Sequence, residues 1–337
     1  MLNFRNDYSE GAHPSILAAM QENNLIPEIG YGKDDHCKHA ADMIRERFSC
    51  PGADVHFLVG GTQTNMTFIA SALRPFEAVI CAGTGHVNTH ETGAIEGTGH
   101  KVLTVPAEDG KVTPEAVRLV VRDHPDEHMV RPRLVYVSQS TEVGTVYTRA
   151  ELTALRAACD DLGLLLYLDG ARLASGLTAP GCDLLPADLP RLCDAFYIGG
   201  TKNGALFGEA LVLVNDALKP HFRYMIKNRG GMLAKGWLLG MQFEGLLLGD
   251  LYFTLGRHAN AMAQRLTQGL RAKEIELAYD SPSNQVFAVL NKDKIFDLTV
   301  DVAFEEFARW DETHDVVRFV TSWATKPEDI DALLKLL

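Results

Sequence analysis

The sequence predicts an α/β protein with a mostly parallel sheet covered by helices. Three observations carry that expectation. Strand-like apolar runs alternate with helix-like segments through the first two thirds of the chain. Two of those runs, 164–168 and 195–199, lead straight into charged residues among small, loop-forming ones. Beyond residues 211–214 the character changes to long helical stretches and then a shorter αβ tail.

Taken in order, residues 55–59 read as a strand, followed by the turn Gly60-Gly61-Thr62-Gln63-Thr64-Asn65 and an apolar-periodic helix to about residue 73. Residues 77–81 form the next strand, with a loop around His86 and a helix expected over 89–97. Strands follow at 102–105 and 134–138, separated by a helix near 114–121. Residues 149–163 are helical, since Thr148 can cap the N-terminus with Glu151 three residues on. The strand 164–168 delivers Asp169, and the run from Ala195 delivers Lys202. Helices are expected over 232–248 and 253–270, strands over 286–290 and 316–320, and a last helix starting after Thr325 with Pro327 in its first turn. A domain boundary falls between about 245 and 260, giving 1–250 with the N-terminal segment and 251–337; no repeat or low-complexity linker marks it.

Composition excludes several classes. The 337 residues suffice for two domains sharing a cleft. With 32 basic against 44 acidic residues, the net charge of −12 argues against a nucleic-acid or anionic-membrane partner, and an anionic ligand needs a local site. The six cysteines (Cys37, Cys50, Cys81, Cys159, Cys182, Cys193) stand singly, which favours reduced thiols in a cytoplasmic protein and shows no zinc framework. The opening residues lack a basic start followed by an apolar core, and no apolar run reaches about 18 residues, so neither a signal peptide nor a membrane span is expected.

Lys202 and Asp169 have opposite charge and both end strands, an arrangement that suggests pyridoxal phosphate. That cofactor needs an amine to hold its aldehyde as a Schiff base and a carboxylate to keep its pyridine nitrogen protonated. The Gly60–Asn65 turn is a candidate phosphate cup, because glycines let the backbone approach closely and a helix opening there presents free N–H groups. It is neither a Walker A loop nor a G-x-G-x-x-G fingerprint.

These residues also carry a family resemblance. Gly61-Thr62-Gln63-Thr64-Asn65, Asp169-Gly170-Ala171-Arg172 and a downstream lysine resemble the motifs of the threonine aldolase and β-eliminating lyase group of fold-type I pyridoxal-phosphate enzymes. Arg5-Asn6-Asp7, Tyr31-Gly32-x-Asp34, His86 followed by Glu91, and 317–321 are similar to it as well. The resemblance implies an aspartate-aminotransferase-like fold, with a mostly parallel seven-stranded sheet in a large domain and a small C-terminal α/β domain. It implies Lys202 as the Schiff-base lysine, Asp169 at the pyridine nitrogen, Gly61 and Thr62 at the phosphate, and His86 stacked on the ring. Arg172 is assigned to cofactor and substrate; Asn6, Tyr31 and Arg318 are assigned to the substrate. Arginine suits a carboxylate because its fork meets both oxygens. A homodimer or homotetramer is implied, with active sites at subunit contacts and Arg229 or Lys235 reaching a neighbour's phosphate.

The implied reaction is cleavage of L-threonine, L-allo-threonine or a related β-hydroxy-α-amino acid into glycine and an aldehyde. Where many threonine aldolases read Asn-Thr-His, this chain reads Ser140-Thr141-Glu142, and Asn6 and Gly-Thr-Lys-Asn-Gly also depart from the commoner pattern. The base for the β-hydroxyl is expected to be His86 acting through water, or Glu142 in the place of the missing histidine. The alternatives are β-elimination or transamination on a small amino acid, and a non-catalytic binding or scaffold protein. His36 and His39, at i and i+3 near a helix start, read as solvated side chains rather than a metal site.

Overall fold

A computed structural model describes all of residues 1–337. Twelve strands occur, at Leu2–Asn3 (β1), Asp54–Leu58 (β2), Glu77–Ala82 (β3), Val102–Val105 (β4), Arg131–Ser138 (β5), Leu165–Asp169 (β6), Ala195–Gly199 (β7), Glu209–Leu213 (β8), Gln285–Asn291 (β9), Val302–Ala303 (β10), Glu305–Arg309 (β11) and His314–Val320 (β12). The main sheet has seven strands in the order β2-β8-β7-β6-β5-β3-β4, and β8 alone runs antiparallel to the others.

Its central strands are apolar along their length because helices cover both faces. Successive side chains alternate between two cores. Val135, Val137, Leu166, Leu168, Phe196 and Ile198 face one; Leu134, Tyr136, Leu165, Tyr167, Ala195 and Tyr197 face the other. Such a sheet binds ligands beyond the carboxyl ends of its strands, where connecting loops meet. The turn after β2, His86 after β3, the segment 139–142 after β5, Asp169–Arg172 and Gly200–Lys202 all emerge there.

A second layer, β11-β12-β9, is antiparallel. It packs with the helices Leu251–Ala272 and Pro327–Leu336 around Phe4, Ala263, Leu266, Val286, Val317, Phe319 and Ile330. The first residues depart from the 1–250 grouping: β1 pairs with β10, and Phe4 is fully buried in this second core, where its ring meets Phe319 edge-on at 6.2 Å.

Most helices follow the sequence reading, including 149–163, observed as Arg149–Leu162 with the Thr148–Glu151 capping box. Two depart. In place of a helix over 89–97 the chain forms one turn at His86–Thr89 and a 3-10 turn at Glu96–Thr98, because left-handed backbone at Thr92 (φ +52°) and Gly93 (φ +70°) breaks the run and turns Glu91 inward. The helix expected from 232 starts at Trp237, since Gly236 lies against Gly32, where an added Cβ would stand 2.6 Å from the Gly32 nitrogen. The last helix starts after Thr325 as read, with Lys326 preceding it and Pro327 in its first turn, while the Thr325 hydroxyl accepts from the Ser322 N–H at 2.8 Å.

Candidate active site

The strand ends converge on a cavity of about 540 Å³, into which Gly60, Gly61, Thr62, His86, Glu142, Asp169, Arg172, Lys202 and Arg318 all face. Six of the residues predicted from sequence to act on cofactor or substrate therefore meet in one place with the phosphate turn.

The helix Gly61–Ala72 opens at the mouth of β2 with no side-chain cap. The amides of Gly61, Thr62 and Gln63 have no protein acceptor, so they are free for an anion. Gly61 sits in close approach to the sheet: a Cβ there would stand 3.1 Å from the Tyr197 hydroxyl, so that side chain would have to shift.

Asp169, at the end of β6, is buried and accepts four hydrogen bonds. The Tyr136 and Tyr197 hydroxyls donate at 2.5 Å, the Ala171 N–H at 2.9 Å and the Asn65 amide at 3.0 Å. Burial favours its neutral form, but His86 and the donated hydrogen bonds outweigh this and hold the carboxyl below its ordinary value. Asn65 links Asp169 to Glu91, at 2.7 Å, and is itself fixed by the Tyr167 hydroxyl at 3.0 Å.

His86 sits at the start of its single helical turn, with Nδ1 2.8 Å from the Glu91 carboxylate. Burial pushes the imidazole down, yet Glu91, Glu142 and Asp169 together raise it above its ordinary value. Glu142 is also buried in the wall, and no donor reaches its carboxylate within the chain. Its turn is fixed by Thr141 N–H to Thr145 O at 2.9 Å and by Gly144, whose φ of +82° and contact with Ser281 exclude a side chain.

Lys202 lies in the connection between β7 and β8. The Asn203 amide pins that connection, donating to Gly199 O at 2.7 Å and Ala171 O at 3.1 Å. Burial and Arg172 lower the lysine amine, opposed by Asp7, Glu142 and Asp169. The Nζ stands 5.9 Å from the Tyr8 ring centre.

Both arginines are already engaged. Arg172 grips Asp7 through Nε at 2.7 Å and Nη2 at 3.1 Å, leaving Nη1 without a protein partner. Arg318 donates to Gln285 at 3.1 Å and pairs with Glu305, while its buried Nε has no partner.

Three predicted residues lie elsewhere in this chain. Asn6 caps its own turn, accepting from the Tyr8 N–H at 3.0 Å and the Ser9 hydroxyl at 2.9 Å. Tyr31 lines a separate apolar depression with Ile29, Tyr224 and Met232, and Lys227 lies 5.0 Å from its ring centre. Lys235 is exposed away from the cavity. His36 and His39 are not merely solvated: both clasp Glu244, at 2.5 and 2.7 Å.

Sequence reasoning missed Tyr136, Tyr197, Glu209, His90 and Glu305. A tyrosine inside an apolar run gives no sign of where its hydroxyl points until the register is known. Glu209, the one charge opening the apolar run 209–213, was the more readable signal.

The comparisons agree with this geometry. The sequence is similar to the low specificity L-threonine aldolase of Pseudomonas sp. (strain NCIMB 10558), at 36% identity over 294 residues, covering 86% of this chain and 84% of that protein. The namesake from Saccharomyces cerevisiae is 27% identical, with 85% and 74% covered. A solved structure of Leishmania major threonine aldolase superposes with a TM-score of 0.98 at 49% identity, covering 100% of this chain and 98% of that one. A Thermus thermophilus aspartate aminotransferase shares the fold, with a TM-score of 0.74 at 16% identity and 99% and 95% coverage. Since the beta-eliminating lyase family also matches residues 3–293, the chain belongs to that family.

Proposed function

We propose that this protein is a pyridoxal-phosphate-dependent aldehyde-lyase that cleaves L-threonine, L-allo-threonine or related β-hydroxy-α-amino acids into glycine and an aldehyde. The observation that carries the reading is one cavity holding Lys202, the buried carboxylate of Asp169 and the uncapped amides of Gly61 and Thr62. Those three groups fit the cofactor's aldehyde, pyridine nitrogen and phosphate. The four acceptor positions of Asp169 are filled, so a ring N–H arriving there takes the place of one donor. When bound, the cofactor supplies an electron sink for the pair released from the breaking Cα–Cβ bond.

The chain's own residues do the rest. Arg318, through its unpartnered Nε, and Arg172, through Nη1, bind the substrate carboxylate and fix which bond faces the ring. Asp169 holds a positive charge at the ring nitrogen in a water-poor site, where such pairing is strong. We assign the β-hydroxyl proton to the carboxylate of Glu142, which no donor occupies, and give His86, whose Nδ1 is already held by Glu91, the role of covering the ring.

Tyr31, Arg229 and Lys235 act across a contact with a second copy in this reading. The exposed Ile29, Tyr31 and Tyr224 supply an apolar face for such a homodimer, and homodimers pair further as a homotetramer. Residues 1–250 hold the cofactor, and 251–337 supply the wall that bears Arg318. The six unpaired cysteines support a cytoplasmic setting, and no helix is long and apolar enough to cross a membrane.

The test is to incubate the cofactor-loaded protein with L-β-hydroxy amino acids, serine, cysteine and alanine, assaying glycine, aldehyde, pyruvate and other keto acids separately. Glycine and aldehyde in equal amounts are expected. Pyruvate from serine or a keto acid from alanine, formed faster than glycine, replaces this reading with elimination or transamination.

A further inference from the structure

Glu209 is a buried carboxylate that the reaction above does not use. It is 3% exposed and sits in the wall of the same cavity as Lys202. It reaches that edge because β8 runs against its neighbours: the first residue of β8 lies opposite Leu58, at the end of β2, and opposite Gly199, at the end of β7. It therefore stands between the phosphate turn and the lysine turn.

Both oxygens hold the lysine turn. One accepts from the Gly200 N–H at 3.0 Å and the other from the Thr201 hydroxyl at 2.9 Å. Thr201 Oγ1 in turn accepts from the Gly208 N–H at 3.0 Å, and the Gly200 N–H also points to Gly208 O at 2.9 Å. Lys202 follows immediately in the chain. Both side chains line the same cavity, and Lys202 holds the Glu209 carboxyl lower, so the two charges act on each other across a buried site with little screening.

We propose that Glu209 is the positioning residue of Lys202: it ties the turn that carries the lysine to the sheet, and its charge shares with the other carboxylates in setting the pH at which the amine sheds its proton. The lysine is also faced by Asp7 and Tyr8 from the N-terminal segment, His86, Glu142 after β5, and Asp169 and Arg172 at the end of β6. Glu209 is faced by Thr201, Lys202, Asp169 and the hydroxyl-bearing Tyr167, Tyr197 and Tyr252. Of the acidic groups, Glu209 alone is hydrogen-bonded to the lysine's own turn. Burial raises its carboxyl to about 8, opposed by Thr201 and Lys202, while burial and Arg172 lower the amine.

The proposal rests on the reading of Lys202 as the cofactor-linking amine, and its test avoids depending on turnover. Cofactor-free protein is labelled with acetic anhydride across neutral and alkaline pH, with Lys202 followed by mass spectrometry against the exposed Lys235 as internal reference. In Glu209→Gln, loss of the neighbouring charge lets Lys202 titrate at lower pH, so around and above pH 8, where the wild-type carboxyl is ionised, it labels about threefold faster than in the wild type. Glu209→Asp restores the wild-type titration at least in part. An unchanged Lys202 titration in folded Glu209→Gln overturns the proposal. Should that variant fail to unfold cooperatively, Lys202→Met reads the same coupling from the other side. The infrared band of the protonated Glu209 carboxyl then persists to higher pH than in the wild type, and an unmoved band overturns the proposal equally. Borohydride trapping of the cofactor on a different lysine would sink the reading of Lys202 and leave the titration result standing.

Discussion

The floor of the cavity and its C-terminal wall are built on opposite plans. On the floor, Asp169 already receives four donors and Lys202 sits in a turn pinned by Asn203 and Glu209, so the groups that meet a cofactor are fixed beforehand. On the wall, Arg318 is paired with Glu305, a side chain still about one third exposed on the strand β11. A substrate carboxylate reaching Arg318 through both Nε and Nη2 must displace that glutamate. With the residues in the roles proposed above, cofactor binding would draw on preorganisation, whereas a substrate carboxylate that extended from Nε to Nη2 would replace an internal ion pair.

The largest effects should come from breaking the floor. Lys202→Ala is expected to abolish both borohydride-stable attachment of the cofactor and turnover; turnover retained with cofactor held elsewhere would show that the floor is not organised around this amine. Asp169→Asn keeps the shape but removes the charge, and kcat should fall on the order of 10²–10³-fold in steady-state assays. A loss below about tenfold would mean that the four donors, rather than the charge, are what the site needs.

Glu142→Gln should lower the retro-aldol kcat about 10²-fold and leave cofactor attachment intact, with His86→Asn costing less. The reverse order would return the base to His86. Glu91→Gln probes the brace behind the floor. The folded pKa of His86 is raised above 6.5, so its ion pair with Glu91 contributes fully below 6.5 and is lost as pH rises through the folded value. The variant should therefore be less stable by about 1–2 kcal/mol in mildly acid buffer, with the gap narrowing as the pH becomes alkaline. A gap that widened with pH in denaturant titrations would exclude that pairing.

The smallest effect belongs to the wall. Glu305→Gln is expected to lower KM by about three- to fivefold, less than 1 kcal/mol, by freeing Arg318. A raised KM would show that Glu305 contacts the substrate instead of competing with it.

How far the sequence foretold this division depends on what each region encodes locally. Asp169 and Lys202 were legible because an apolar run ending in a charge is a local signal, and the family motifs identify the same positions. The sheet was legible for the same reason. The reversal of β8 was not, because strand direction is settled by tertiary packing, and with it Glu209 stayed hidden at the head of an apolar run. Nor was the break after His86, since the left-handed backbone at Thr92 coincides with contacts of Glu91 to His86 and Asn65, and a threonine at 92 gives no turn signal. The employment of Arg172 by Asp7 joins residues 165 positions apart, a distance at which no motif speaks.

The ribbon formed by β1 and β10 sets an order of events during synthesis. Leu2 pairs with Val302, and the adjacent Asp7 anchors Arg172 while Asn284 donates to it at 2.9 Å. A ribosome adding about 5–20 residues per second needs roughly 15–60 s to deliver the partner of the second residue. Through that interval the sheet strands have emerged while the opening segment waits unpaired and Arg172 lacks the segment's seat on the C-terminal layer. The seven strands of the main sheet thus leave the ribosome before the opening segment can take its seat, and Arg172 meets Asp7 in its final place only near the end of synthesis.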